Sequence, residues 1–119
     1  MGDLLLDAMD WIAERLHRHA SKQVVYSRGA DTVTVDATIG RTVFEVVRGD
    51  GIVEHAESRD FLILTNTLIL GGSKTIPKRG DRIKEDGLTF EVLAPGTEPH
   101  FRFSDPYRRL YRIHTKQVG

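Results

Sequence analysis

The feature that most constrains this chain is a change of hydrophobic period at Lys22. Upstream of it, Leu5, Met9, Ile12 and Leu16 recur at intervals of four, three and four, with Leu4, Ala8, Trp11 and Ala13 widening the stripe. That is the period of an α-helix with one apolar face. Asp3 is placed to cap it, Asp7 and Asp10 lie toward its positive end, and Arg15, His17, Arg18 and His19 crowd its negative end. Covering the four stripe residues is worth roughly 6–12 kcal/mol in all, so the stripe must meet a surface, either this chain's own core or a partner.

Downstream the period becomes two. Val24-Val25-Tyr26 and Thr32-Val33-Thr34-Val35 read as strands separated by Arg28-Gly29, and Ile39-Gly40 reads as punctuation before a further strand from Thr42 to Val47. Arg48-Gly49-Asp50-Gly51 supplies a turn whose Asp-Gly suits a type I′ hairpin, with Ile52-Val53 starting the return. Phe61 to Leu64 is a continuous apolar run, predicting a strand buried on both faces, and Leu68 to Leu70 is expected to extend or partner it. Asp81-Arg82-Ile83 enters a second hairpin turning at Asp86-Gly87, and Leu88 to Leu93 returns. Beyond the proline-marked 94–99 connection, His100 to Phe103 alternates again. Leu110 to Thr115 closes the pattern, with Leu110, Arg112 and His114 on one face and Tyr111, Ile113 and Thr115 on the other. The pattern predicts a mainly β, single-domain protein over 1–119: an N-terminal amphipathic helix over 1–20, then a β-barrel or sandwich of about eight short antiparallel strands over 22–116. The Gly- and Pro-containing segment 71–80 is expected to be a flexible basic loop.

Cysteine is absent, which excludes a disulfide framework, a thiolate metal site and a thiol nucleophile. The start of the sequence has no basic run and its apolar stretches are too short to span a bilayer, so a soluble, unexported protein without a membrane role is expected. Seventeen basic and seventeen acidic side chains cancel overall but not locally. Residues 1–70 carry seven Lys/Arg against eleven Asp/Glu, a net of minus four, and residues 71–119 carry ten against six, a net of plus four. Such polarity can orient one subunit against the next or bring a basic loop to nucleic acid.

The catalytic patterns fail on geometry. Gly71-Gly72-Ser73-Lys74-Thr75 lacks the glycine before the lysine and the following helix that a phosphate loop requires. His17 and His19, two apart on a helix, point in opposed directions, and His55, His100 and His114 are far apart in sequence. None of the serines sits in a nucleophile elbow. No enzyme activity, metal or cofactor is therefore expected. Arg48-Gly49-Asp50 and Arg79-Gly80-Asp81 repeat an adhesion tripeptide, but turn chemistry accounts for both. Lys74, Lys78, Arg79, Arg82 and Lys84 concentrate positive charge around a loop suited to phosphate contacts without base reading. An oligonucleotide-binding-like barrel is the alternative function this cluster supports, although it lacks interleaved stacking aromatics.

Four segments carry a resemblance: Arg41 to Val46, Ser58 to Ile63, Pro77 to Ile83 followed by Phe90-Glu91-Val92, and Ser104-Asp105-Pro106 with Tyr111 to Lys116. In this order and spacing they resemble the small head-tail joining (connector, or neck) proteins of long-tailed bacteriophages and prophages, over residues 25–116. The resemblance implies a structural β-barrel subunit in a homo-oligomeric ring, a hexamer on assembly, between the portal side of the head and the tail, with DNA passing through. It implies portal or head-completion and tail proteins as partners, transient non-specific contact with DNA, and a place in the virion or the host cytoplasm. On that reading Lys74, Lys78 and Arg79 face the lumen, and Leu5, Met9, Ile12 and Leu16 form a docking face, in cis or on a partner.

Overall fold

The computed structural model describes residues 21–96 and 98–119. The helix expected over 1–20, with Leu5, Met9, Ile12 and Leu16, lies outside the described residues. Nine strands follow: β1 (Ser21–Arg28), β2 (Asp31–Val47), β3 (Val53–Leu64), β4 (Ile69–Leu70), β5 (Ser73–Lys74), β6 (Arg82–Glu85), β7 (Leu88–Val92), β8 (Phe101–Phe103) and β9 (Leu110–Gln117). The main sheet runs β3-β2-β1-β6-β7-β9-β8, and a further β3–β9 pairing closes six of these strands into a barrel. All of its pairings are antiparallel. One edge of β9 pairs with β3, and the other meets β7 near Lys116 and β8 near Arg112.

Alternation explains which residues fill the barrel. Val24 and Tyr26 on β1, Val35 and Ala37 on β2, Phe61 and Ile63 on β3, Ile83 on β6, Phe90 and Val92 on β7, and Tyr111 and Ile113 on β9 are all buried. Phe61 and Phe90 meet edge to face across the interior at 5.3 Å. Leu62 and Leu64 point outward and are only half-buried, so the Phe61–Leu64 run is buried on one face where the sequence predicted two.

Two expected strands are one. β2 runs unbroken through Ile39-Gly40, because Gly40 does not end the strand but leaves room beside it: a Cβ there would stand 3.4 Å from the Arg112 guanidinium. Val53, where the return was expected to start, and the Phe61–Leu64 run likewise belong to one strand, β3. The β2–β3 turn also differs from the expected type. Arg48 N donates to Ile52 O, Gly51 N donates to Arg48 O, and only Gly51, at φ +84°, is left-handed, which is a type I turn followed by a bulge. The type I′ turn occurs at Asp86-Gly87, where φ is +49° and +81°.

Leu68 to Leu70 does not pair with β3. The 65–77 segment instead folds over one end of the barrel, with Leu68 and Leu70 buried beneath it and Ile69–Leu70 pairing with Ser73–Lys74. Tyr111 Oη donates to Thr75 O at 3.1 Å and Arg28 Nη2 to Ile76 O at 2.9 Å, fastening this cap to the wall. The opposite mouth carries no such cap among the described residues. From that mouth β2 and β3 continue past Thr38 and Arg59, where they lose β1 and β9 as partners, and form a two-stranded arm ending at the Arg48–Ile52 turn.

Candidate functional site

A constellation that looks catalytic lies on the outer face of β3 and β9. Asp60 and His114 are both fully buried. His114 Nδ1 lies 2.8 Å from Asp60 Oδ1, and Ser58 Oγ donates to the same oxygen at 2.6 Å. Thr42 Oγ1 donates to Asp60 Oδ2 at 2.6 Å, and the Arg112 Nε stands 3.1 Å from it. Burial alone would push the Asp60 carboxyl up, but hydrogen bonds from His114, Ser58 and Thr42 outweigh it and hold the group below the ordinary carboxylate value.

The roles needed for nucleophilic catalysis are not available here. Ser58 Oγ lies 3.3 Å from His114 Nδ1, the nitrogen already engaged by Asp60, while Nε2 is buried without a partner. A serine nucleophile needs the carboxylate on one imidazole nitrogen and its hydroxyl on the other. The cluster is therefore a polar clamp between β2, β3 and β9.

It is buried because the β7–β8 connection crosses over it. Leu93 N donates to His114 O, His114 N donates to His100 O, and Gly96 reaches the Phe44 ring on β2, so the connection spans β3 between them.

A second clamp holds the capped end. Asp81, buried at the start of β6, accepts from Tyr26 Oη, from Arg28 Nη2 at 2.7 Å and from Lys78 N at 2.9 Å. Burial would raise its carboxyl, yet the Arg28 and Tyr26 hydrogen bonds bring it below the usual range; burial and the Asp81 carboxylate together push the Tyr26 phenol up.

This clamp settles the backbone beside the predicted basic residues. Lys74, Lys78 and Arg79 all stand exposed at the capped end of the barrel. The surrounding 71–80 segment is tied by the cap contacts and by His100 Nε2 at 2.9 Å from Pro77 O. Of the acidic groups at this end, Asp81 is paired, Asp105 accepts from the backbone of Tyr107, Arg109 and Leu110, and the Asp31 carboxylate lies against Gly71, 3.8 Å from where a Cβ there would stand. Phe103 is no free stacking platform, since Arg108 lies over its ring at 5.2 Å and Tyr111 is beside it.

The open mouth is chemically different. Glu85, 3% exposed, takes a bidentate contact from Arg59 Nη2 and a 2.7 Å ion pair from Lys22. Arg59 also stacks over Phe90 at 5.2 Å. Above these charges lies a groove of about 550 Å3 whose lining includes Ile39, Leu88 and Phe90. Its floor continues along the arm, because odd-numbered residues of β2 and β3 face the barrel interior. On that face Val43, Val47 and Val53 are 57%, 69% and 49% exposed.

The arm and the Asp60 clamp escaped sequence reasoning. The signal for the arm was partial: polar and apolar residues alternate from Thr32 to Gly40, but Arg41 and Glu45 then occupy inward-facing positions and Phe44 and Val46 outward-facing ones, which hid the continuation. Nothing local marked Asp60, whose burial depends on a connection more than 30 residues away. Among the described residues no group of three or more His, Asp or Glu side chains is placed to hold a metal ion, and no helix is long and apolar enough to cross a membrane.

The two ends of the barrel thus differ: a capped end with exposed Lys74, Lys78 and Arg79, and at the other end an arm bearing Glu45, Asp50, Glu54 and Glu57. The family model described as phage head-tail joining protein matches residues 2–119. The chain belongs to the phage head-tail joining proteins. No curated protein matches it. Nearly the whole head-tail joining chain falls within the family match, so barrel, arm and cap are all parts of the family domain. Its role is structural, at the junction of phage head and tail, with head and tail components as partners and the virion as its setting.

Proposed function

We propose that this head-tail joining protein assembles as a ring, a hexamer on the head, through which DNA passes toward the tail. The observation that carries the reading is the separation of charge along the molecule. Exposed Lys74, Lys78 and Arg79 stand at the capped end, while the arm beyond the opposite mouth carries Glu45, Asp50, Glu54 and Glu57 against Arg41, which pairs with Glu57, and Arg48, which pairs with Asp50 and Glu54, leaving the arm net acidic. A head-to-tail contact between unlike faces closes into a ring when its rotation allows, and opposite charges on those faces favour one orientation. In this reading Lys74, Lys78 and Arg79 border the lumen and meet DNA phosphates without reading sequence. Their contacts must stay weak, because affinity multiplied over several copies would hold the DNA in place.

The test is to mix the purified protein with DNA-filled heads carrying a portal and to follow it by negative-stain microscopy and light scattering. Rings seated at the portal vertex are expected. Failure to bind heads at high protein concentration overturns the proposal, whereas a monomer in free solution does not, since ring components can assemble only on their partner.

A further inference from the structure

We infer that the arm pairs with a second copy of this chain: the free edge of β2 in one copy lies antiparallel against the same edge in the other, with Val43 opposite Val43 on a twofold axis. The strand ladder defines that edge. β1 leaves β2 at Thr38 and the turn begins at Arg48, so among the described residues 39–47 is paired on one side only, with β3. Arg48 N donates to Ile52 O across the hairpin. Because successive peptide groups alternate in direction, the even-numbered residues of the arm bond to β3 and the odd-numbered ones aim N–H and C=O at the free edge. Val43, Glu45 and Val47 have no backbone partner there among the described residues, and Arg41 O, which Arg112 Nη2 approaches at 3.4 Å, keeps a second lone pair. The usual devices that blunt an edge are missing: 39–47 holds no proline and no lysine, and its pairing with β3 has no bulge. It carries two charges, Arg41 and Glu45, and these select the partner.

Two observations make that partner another copy. The first is length. Val43 is the midpoint of 39–47, so pairing about it brings the whole free edge into contact and stops each arm tip where the other copy's β1 begins. The second is side-chain register. Ile39 of one copy then opposes Val47 of the other, Arg41 opposes Glu45, and Val43 opposes itself, so apolar meets apolar and positive meets negative at every hydrogen-bonded pair. A slip of one residue turns the bonding groups away from each other. A slip of two, in either direction, sets Glu45 against Ile39 or Val43 and Arg41 against Val43 or Val47.

Both charges are accessible to a second copy. Arg41 and Glu45 are 73% and 68% exposed, and their neighbours within the arm, Glu57 at 3.4 Å and His55 at 3.6 Å, are exposed as well. The contact uses the same surface on both copies and therefore ends at two. It does not build the ring and does not rest on that reading; it is the contact of the protein off the head.

The test is sedimentation equilibrium of the full-length protein, for which a reversible dimer is expected. Arg41→Glu and Glu45→Arg each set like charges against each other at both ends of the pairing and are expected to weaken dimerisation at least about tenfold. Mixed in equal amounts, the two variants again oppose acid to base, and dimerisation is expected to return, which a loss of fold would not allow. A wild-type protein that is monomeric at every concentration, single variants that dimerise like the wild type, or a mixture that stays monomeric each overturn the inference. Rings seated on DNA-filled heads are read separately, so the two readings fail independently. Cysteine is absent from the native chain, so Val43→Cys is expected to oxidise to a linked dimer several-fold faster than Val53→Cys, a comparably exposed position on the other strand of the arm; equal rates overturn the register.

Discussion

Asp60 and His114 face each other at 2.8 Å from neighbouring strands, and neither side chain reaches solvent. Because the pair joins β3 to β9, the strands whose pairing closes the barrel, it couples the electrostatics of a buried carboxylate to closure itself. Asp60→Asn removes the charge that Ser58, Thr42 and Arg112 are arranged around and is expected to cost about 3 kcal/mol in chemical denaturation. A loss under about 0.5 kcal/mol, the level of ordinary surface substitutions, would contradict the clamp.

The same carboxylates set the acid limit of the fold. Asp60 and Asp81 are both held below their ordinary value in the folded protein. Their contribution is complete above the unfolded-state value of about 3.9 and is lost as pH falls through the lower folded values. Stability measured from about pH 5 down to about pH 2 is therefore expected to decline steeply, and Asp60→Asn is expected to flatten that decline. Identical slopes for the two proteins would show that Asp60 takes no part in it.

Gly96 and Gly51 separate conformational strain from steric contact. Both have positive φ, +54° and +84°, but a Cβ at Gly51 meets nothing within 4 Å, whereas one at Gly96 meets Phe44 Cδ2 at 3.2 Å. Gly51→Ala is expected to cost about 1 kcal/mol and Gly96→Ala about 2 kcal/mol. Phe44→Leu should relieve part of the second cost in a double-mutant cycle and none of the first.

At the open mouth the two cations on Glu85 are not equivalent. Lys22 is 41% exposed and also pairs with Asp86, while Arg59 lies against aromatic rings. Lys22→Ala is expected to cost less than about 1 kcal/mol. Glu85→Ala, which leaves Arg59 without its buried partner, is expected to cost about 3 kcal/mol. Denaturation midpoints of the two variants measure the contrast, and equal midpoints would contradict it.

The basic residues of the cap are expected to be dispensable for folding. Lys78→Ala with Arg79→Ala keeps the Lys78 backbone bond to Asp81 and should leave stability within about 0.5 kcal/mol. Any association of the protein with DNA should weaken, and its salt dependence should become shallower. An unchanged salt dependence would place the DNA contact elsewhere.

Much of the barrel was legible because its strands alternate. The pattern around Thr32-Val33-Thr34-Val35 and the odd and even faces of Leu110 to Thr115 were readable residue by residue, since one side of each strand fills the interior. What alternation concealed was whatever a distant segment decides. His114 occupies an outward position and would be solvated were the 93–100 connection not laid across it. Gly40 reads as a break because the guanidinium that takes its place comes from β9, more than 70 positions along the chain. Lys74, Lys78 and Arg79 were recognisable as a charged group, but the fastening of their backbone by Asp81, Tyr111 and Arg28 is tertiary.

The triple pairing of β9 has a consequence for biogenesis. Of the described strands it is the last to be synthesised, and until it arrives β3 and β7 present raw edges facing each other across a gap. The barrel wall therefore cannot be completed during translation of the earlier strands. Nascent chains are in that interval at their most adhesive, so crowding on polysomes, more than the lability of the finished protein, should govern how much is recovered in soluble form.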